Sequence, residues 1–217
     1  MDLIDSLIKE GWLKTPKIIE AFQKIKREDF MPADMKNLAD LNEALPIGYG
    51  QTISQPLVVA FMLELLEPKE GEKILDIGSG SGWTSVLLGE IVGEKGKVIA
   101  IDIVPELVEF GKKNTAKYNF ITPKVRYIGQ KPVIERRVVD FIFADGSKGY
   151  KNEAPYDKIL CSATAKEVPR FWKEQLKIGG RIVTPIENSI WLFVKKSNKI
   201  FDEHEYPGFV FVPLIEK

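Results

Sequence analysis

Two carboxylates and a run of glycines are the groups in this sequence most able to do chemistry. Asp76-Ile77-Gly78-Ser79-Gly80-Ser81-Gly82 follows a short apolar run, Lys73 to Ile77, and precedes a helical pattern from Trp83 to Val92. Glycines between a strand and a helix let the backbone turn sharply and let a ligand approach it closely. Asp102 ends the next apolar run, 20 residues after Gly82. An acidic side chain there can accept from ribose hydroxyls. A glycine-rich turn without a ligand is the plain alternative, and Asp102 at that spacing weighs against it.

The loop also says which nucleotide it suits. A dinucleotide site needs a small third residue in G-x-G-x-x-G so that helix and strand pack closely. Trp83 stands there, and the actual spacing is Gly78-x-Gly80-x-Gly82. Asp76 beside the loop would repel a pyrophosphate. S-adenosylmethionine carries no phosphate but does carry an ammonium and a sulfonium, which suit a carboxylate. The loop therefore predicts S-adenosylmethionine rather than NAD, held by Asp76, Gly78, Ser79, Gly80, Gly82 and Asp102.

The elements that must position these groups alternate. Strands are expected at 73–77, 97–101, 138–143, 158–161 and 181–184, with closing hairpin strands at 191–194 and 209–212. Helices are expected at 83–92, 104–118 and 168–176. Such alternation predicts an α/β fold with a mostly parallel sheet and helices on both faces. Ahead of it, apolar residues recur at helical spacing from Leu3 to Ile25, divided by Thr15-Pro16, with Thr15 the expected N-cap. Ser54-Gln55-Pro56 opens a further helix, Leu57 to Leu66, and a serine there reads first as an N-cap. The chain is expected to be one domain, 1–217, with 1–66 a helical flank and substrate-side segment and 67–217 the cofactor-binding sheet.

Composition removes several functions. Lys plus Arg and Asp plus Glu are both 31, so the formal charge is zero, which argues against a general nucleic-acid binder. Cys161 and His204 are the lone cysteine and histidine, so neither an intrachain disulfide nor a His/Cys metal site is expected. Cys161 reads as an apolar filler and His204 as a solvated loop residue without a role. No apolar run is long enough for a membrane helix. The acidic start, Met1-Asp2-Leu3-Ile4-Asp5, is unlike a secretory signal. A cytoplasmic monomer is the expectation.

Several separated segments resemble one family, protein-L-isoaspartate O-methyltransferase. They are 44–56 (Ala-Leu-Pro-Ile-Gly-Tyr-Gly-Gln-Thr-Ile-Ser-Gln-Pro), the glycine loop from Ile74, Asp145-Gly146-Ser147-Lys148-Gly149-Tyr150 with Ala154-Pro155-Tyr156-Asp157, Val168-Pro169, Gly179-Gly180, and Phe211-Val212-Pro213-Leu214. The resemblance runs from Arg27 onward. It implies a Rossmann-like class I S-adenosylmethionine-dependent fold, a seven-stranded sheet with one antiparallel strand near the end. It implies that Ser54 is the active-site serine, with Thr52 and Ile53 beside it and Val168 and Pro169 on the substrate side. It implies that Gly78 and Gly80 contact the cofactor, that Asp102 binds its ribose, and that Asp145 with Gly146 binds its adenine. Leu57, Asp76 and Ala144 differ from the family's usual Tyr or His, Glu and Gly, segment 161–164 differs from its usual Val-Thr-Ala-Ala, and the segment 121–137 is longer.

The implied reaction is methylation of the free α-carboxylate of an L-isoaspartyl residue in a damaged protein. A carboxylate is ionised at neutral pH, so no general base is required. The other readings are a methyltransferase acting on RNA or a small molecule, which would not need Gln51-Thr52-Ile53-Ser54, and a cofactor-binding module without turnover.

Overall fold

The computed structural model describes residues 2–120, 125–128, 131–134 and 137–215. Two short helices come first, α1 (Leu3–Lys9) and α2 (Pro16–Lys24). Proline fits the first turn of α2, where its missing N–H has no carbonyl to meet. Thr15 occupies the N-cap position, yet its hydroxyl donates to Glu64 Oε2 at 2.7 Å rather than capping the helix. The backbone N–H groups of Lys14 and Thr15 donate to Glu64 Oε1.

A tight hairpin follows, β1 (Leu45–Gly48) and β2 (Gln51–Ile53). Positive φ at Gly48, Tyr49 and Gly50 makes its turn. Next come α3 (Pro56–Leu66), β3 (Lys73–Ile77), α4 (Trp83–Val92), β4 (Lys97–Asp102) and α5 (Pro105–Thr115). A separate antiparallel hairpin, β5 (Val125–Ile128) with β6 (Lys131–Ile134), falls in the long segment before β7 (Val139–Phe143). The sequence Lys124-Val125-Arg126-Tyr127 reads as strand-like; Val125 to Tyr127 fall in β5, and Lys124 lies outside the described residues. The chain ends with β8 (Tyr156–Cys161), α6 (Arg170–Gln175), β9 (Leu176–Ile186), β10 (Ser189–Lys195) and β11 (Phe201–Pro207).

The main sheet has seven strands in the order β11-β10-β9-β8-β3-β4-β7. β7, β4, β3, β8 and β9 run parallel, and β10 is antiparallel to both β9 and β11. The reversal follows from the two-residue turn Glu187-Asn188, with φ 52° at Glu187, because a tight hairpin joins only antiparallel strands. Alternate residues of the central strands feed two cores. Ile74, Val98, Ala100 and Val139 pack under the helices α2 to α5, while Leu75, Ile77, Ile99 and Ile101 pack with Trp172 and Leu176 around α6. Both faces of β3 and β4 are thus buried, as a parallel sheet requires. Fold class and the single reversed strand agree with the expectation.

The expected closing strand at 209–212 is not one. The seventh strand is Phe201–Pro207, with exposed Asp202, Glu203, His204 and Glu205. Charged side chains suit a sheet edge, where they discourage further pairing. His204 is therefore a strand residue, not a loop residue. Gly208, at φ 100°, ends the strand, and Phe209 instead stacks on Phe61 with ring centroids 5.4 Å apart.

The N-terminal helices dock at the start of α4. Phe22 of α2 meets Trp83 edge-on at 5.7 Å, so the bulky residue after the glycine loop is the anchor for the flank. Trp12 meets Phe61 of α3 in the same manner at 5.8 Å. Cys161 is fully buried at the end of β8, and burial pushes its thiol up to about 12, which fits an inert filler.

Candidate active site

Parallel sheets bind ligands at the carboxyl ends of strands, where the chain leaves the central strand in opposite directions. Here that point lies between β3 and β8, on either side of which the chain runs to β4 and to β9. A cleft opens there. Its walls are Gln51 and Thr52 of β2, Ile77, Gly78 and Gly80, the residues Ile101 to Val104, Gly146, Ala163, and Pro213, Leu214 and Ile215.

Gly78 and Gly80 have φ of 74° and 50°, a region that suits glycine. The N–H groups of Gly78 and Ser79 donate to Ile101 O, which binds the loop to β4. Asp102 completes this joint: Oδ2 accepts from Gly80 N at 2.8 Å and Oδ1 from Val104 N at 3.0 Å. Burial raises its carboxyl above the usual range, and these backbone bonds oppose the rise. Each oxygen keeps a further lone pair for a hydroxyl at the cleft.

Asp76 lies directly before the loop and is fully buried. Oδ2 accepts from Ser85 Oγ at 2.5 Å, and Oδ1 has no hydrogen-bond partner. Burial pushes the carboxyl up to about 7, against the lowering effect of Ser85. A buried carboxylate oxygen without a donor, set at the foot of a glycine cradle, fits a ligand that brings a cationic N–H group. It fits a pyrophosphate poorly.

Asp76, Ser79, Gly82 and Asp145 do not line the cleft. A Cβ on Gly82 would come within 3.1 Å of Gly111 Cα and 3.0 Å of Phe141 Cζ, so this glycine lets α4 and α5 approach each other. Ser79 is buried with its hydroxyl unpartnered. Gly146 does line the cleft, and a Cβ there would meet Ile77 Cγ2 at 2.5 Å. Asp145 Oδ1 accepts from Ser147 N at 3.0 Å and from Ser147 Oγ at 2.7 Å, and Oδ2 pairs with Lys148. Its carboxylate shapes the turn that presents Gly146.

On the other wall Thr52 is exposed to the cleft, Ile53 is buried beneath it and Ser54 is half-buried just beyond. Ser54 is not the N-cap of α3. The helix begins at Pro56 and its N-cap is Gln55, extended as a residue before proline must be. The free N–H of the first turn, on Leu57, donates to Asn42 Oδ1 at 3.0 Å. A side chain from a distant loop thus does the capping. Val168 and Pro169 lie outside the cleft lining; Pro169 precedes α6 and Val168 packs in the second core.

Several contributors escape a reading by motif. Asn114 Nδ2 on α5 donates to Ser81 O at 3.1 Å and holds the loop from behind. Trp172 Nε1 donates to Gly146 O at 2.8 Å. The tail is drawn to the cleft by two parallel-type bonds, Thr164 N to Val212 O and Leu214 N to Thr164 O, each 2.8 Å. Only the tail left a trace in the sequence, as the segment Phe211 to Leu214.

Comparison with known proteins supplies the family. The family model described as protein-L-isoaspartate (D-aspartate) O-methyltransferase (PCMT) matches residues 1–217. The chain is 37% identical to a protein-L-isoaspartate O-methyltransferase of Methanopyrus kandleri over 98% of this chain and 89% of that one. It is 38% identical to one of Ignicoccus hospitalis over 100% and 97%. A solved protein-L-isoaspartate O-methyltransferase superposes with a TM-score of 0.82 at 27% identity, covering 97% of this chain and 64% of that one. The fold is shared with a Plasmodium falciparum protein solved with S-adenosyl-L-homocysteine, at a TM-score of 0.84, 20% identity and coverage of 99% and 97%. The resemblance in the glycine loop and in the hairpin before Ser54 thus extends across the chain, which belongs to the protein-L-isoaspartate O-methyltransferase family.

Proposed function

We propose that the chain transfers a methyl group from S-adenosylmethionine to the α-carboxylate of L-isoaspartyl residues in damaged proteins. The observation that carries this reading is the meeting of two walls: Thr52, two residues before Ser54, faces the glycine loop and Asp102 across one cleft. When bound, the cofactor supplies an electrophilic methyl carbon on a positively charged sulfur. Asp102 would accept from the ribose hydroxyls while fixing Gly80. Gly78 and Gly80 leave room for close approach, Asp76 Oδ1 behind the loop would balance the ammonium, and the Gly146 backbone would border the adenine.

Ser54 donates a hydrogen bond to the substrate carboxylate and aims one oxygen at the methyl group, with Thr52 beside it. The nucleophile belongs to the substrate and is already ionised, so the protein's work is alignment and exclusion of water. Among the described residues no cluster of His, Cys, Asp and Glu could hold a metal, and no helix is long and apolar enough to cross a membrane. Zero net charge supports a protein substrate over a nucleic acid. We assign the activity to a cytosolic monomer.

The test is methyl transfer to an isoaspartyl peptide beside the same peptide with normal aspartate, and beside RNA. Transfer to the isoaspartyl peptide alone is expected. Equal transfer to normal aspartate, or transfer to RNA, would overturn the reading.

A further inference from the structure

Arg27 opens the short 3-10 turn Arg27–Phe30 and is 7% exposed. Its guanidinium donates four hydrogen bonds, all to backbone carbonyls. Nη1 reaches Ala39 O and Leu41 O at 3.0 Å, and Nη2 reaches Glu43 O at 2.7 Å and Ser54 O at 3.1 Å. Its other face covers the Trp83 ring, 5.5 Å from Cζ to the ring centroid. Trp83 is the first residue of α4, directly after the glycine loop. One buried cation therefore touches the loop 39–43, the backbone of Ser54 and the exit of the cofactor loop.

The clamped loop works further. Asn42 within it caps α3 through Leu57 N and accepts from Gln55 Nε2 through its carbonyl. Ser54 is thus held directly by Arg27, and the residues after it are held by the loop that Arg27 organises. Burial draws the guanidinium down to about 10, so it remains charged at neutral pH. A planar fork can span four carbonyls in a way that a lysine ammonium cannot.

We infer that Arg27 is a positioning residue for methyl transfer, setting the distance and direction of Ser54 relative to the glycine loop. This rests on the reading of Ser54 as the group that binds the substrate carboxylate. A merely structural arginine would lower folded fraction, cofactor affinity and turnover together. A positioning arginine separates them.

Arg27→Lys and Arg27→Gln would be compared with the wild type for melting, affinity for S-adenosylhomocysteine, kcat and KM on an isoaspartyl peptide, and amide exchange. In the folded variants, kcat per folded molecule should fall tenfold or more in Arg27→Gln and less in Arg27→Lys. Affinity for S-adenosylhomocysteine should stay within twofold. Exchange should quicken in 39–57 while the glycine loop keeps its protection in the presence of that ligand. Unchanged exchange in 39–57, an unchanged kcat, affinity lost in step with kcat, or failure of both variants to fold would overturn the inference. If the wild type methylates no isoaspartyl peptide, the proposed substrate is wrong, and the exchange comparison alone still decides whether Arg27 is the clamp.

Discussion

The two walls of the cleft are built by different means. The cofactor wall is made of strand ends and backbone: Gly78 and Gly80 turn the chain, Ile101 O receives two loop N–H groups, and Asp102 closes the joint. These groups span 27 residues, from Asp76 to Asp102, and Gly146 joins them from farther along the chain. The substrate wall is a three-residue strand and a half-turn held by side chains from afar, Arg27 and Asn42, with Gln55 tying back to the Asn42 carbonyl. A wall made of backbone tolerates few changes in its own residues. A wall held by remote side chains can be loosened from outside it.

That contrast can be broken by substitution. The largest effect is expected from Ser54→Ala. Losing one oriented donor in a dry site costs on the order of 2–4 kcal/mol of barrier, read as kcat in single-turnover methylation. Because Ser54 does not cap α3, the melting temperature should stay near that of the wild type. A kcat equal to wild type would remove Ser54 from the mechanism. Asp102→Ala comes next and strikes the other wall. Loss of a charge-assisted hydrogen bond costs about 1.5–3 kcal/mol of cofactor affinity, roughly 10- to 150-fold in Kd by calorimetric titration. Unchanged affinity would show that the ribose does not meet this carboxylate.

Asn42→Ala is a subtler probe, because the residue touches neither substrate nor cofactor. Removal of a helix cap costs about 0.5–2 kcal/mol of stability. A lower melting temperature with unchanged cofactor affinity would sharpen the contrast between the walls, and no loss of stability would weaken it.

The last effect is one of pH. Asp76 ionises near 3.8 in the unfolded chain and about 7 in the fold, where burial disfavours its charge. Between these values the fold binds the additional proton, so this residue's contribution to stability falls as pH rises. Asp76→Asn should melt with a flatter pH dependence across that window. An ammonium at Oδ1 favours the ionised form, so cofactor affinity should rise severalfold as pH passes 7, and the Asn variant should lose that rise. Identical pH profiles for the two proteins would take Asp76 out of the site.

The cofactor wall was legible in the sequence because local chemistry dictates it: a turn with φ above zero needs glycine, and an acid at a strand end faces the cleft. The same reasoning placed β3, α4 and β4 almost to the residue. It gave no hint that Gly82, at φ 85°, is also needed for close packing against Gly111, a neighbour 29 positions away that no local pattern reveals. It misread Ser54 as a cap because serine before Gln-Pro is what a cap looks like, and the cap supplied by Asn42 comes from a separate loop. Edge strand β11 was hidden by its charges, which alternate with nothing apolar. Arg27 and Trp172 act through backbone carbonyls, and a carbonyl has no identity in a sequence.

The cleft draws its lining from six stretches of chain, at 51–52, 77–80 without Ser79, 101–104, 146, 163 and 213–215. Nothing short of the complete fold brings them together, so a ligand held there binds the native state and not a fragment of it. Occupancy at 100 times Kd then adds about 2.7 kcal/mol to global stability. For a chain of this size that is roughly 2–4 °C of melting temperature for each kcal/mol. The supply of cofactor therefore governs the lifetime of the catalyst as well as its rate, and a molecule starved of methyl donor is closer to unfolding than one at work.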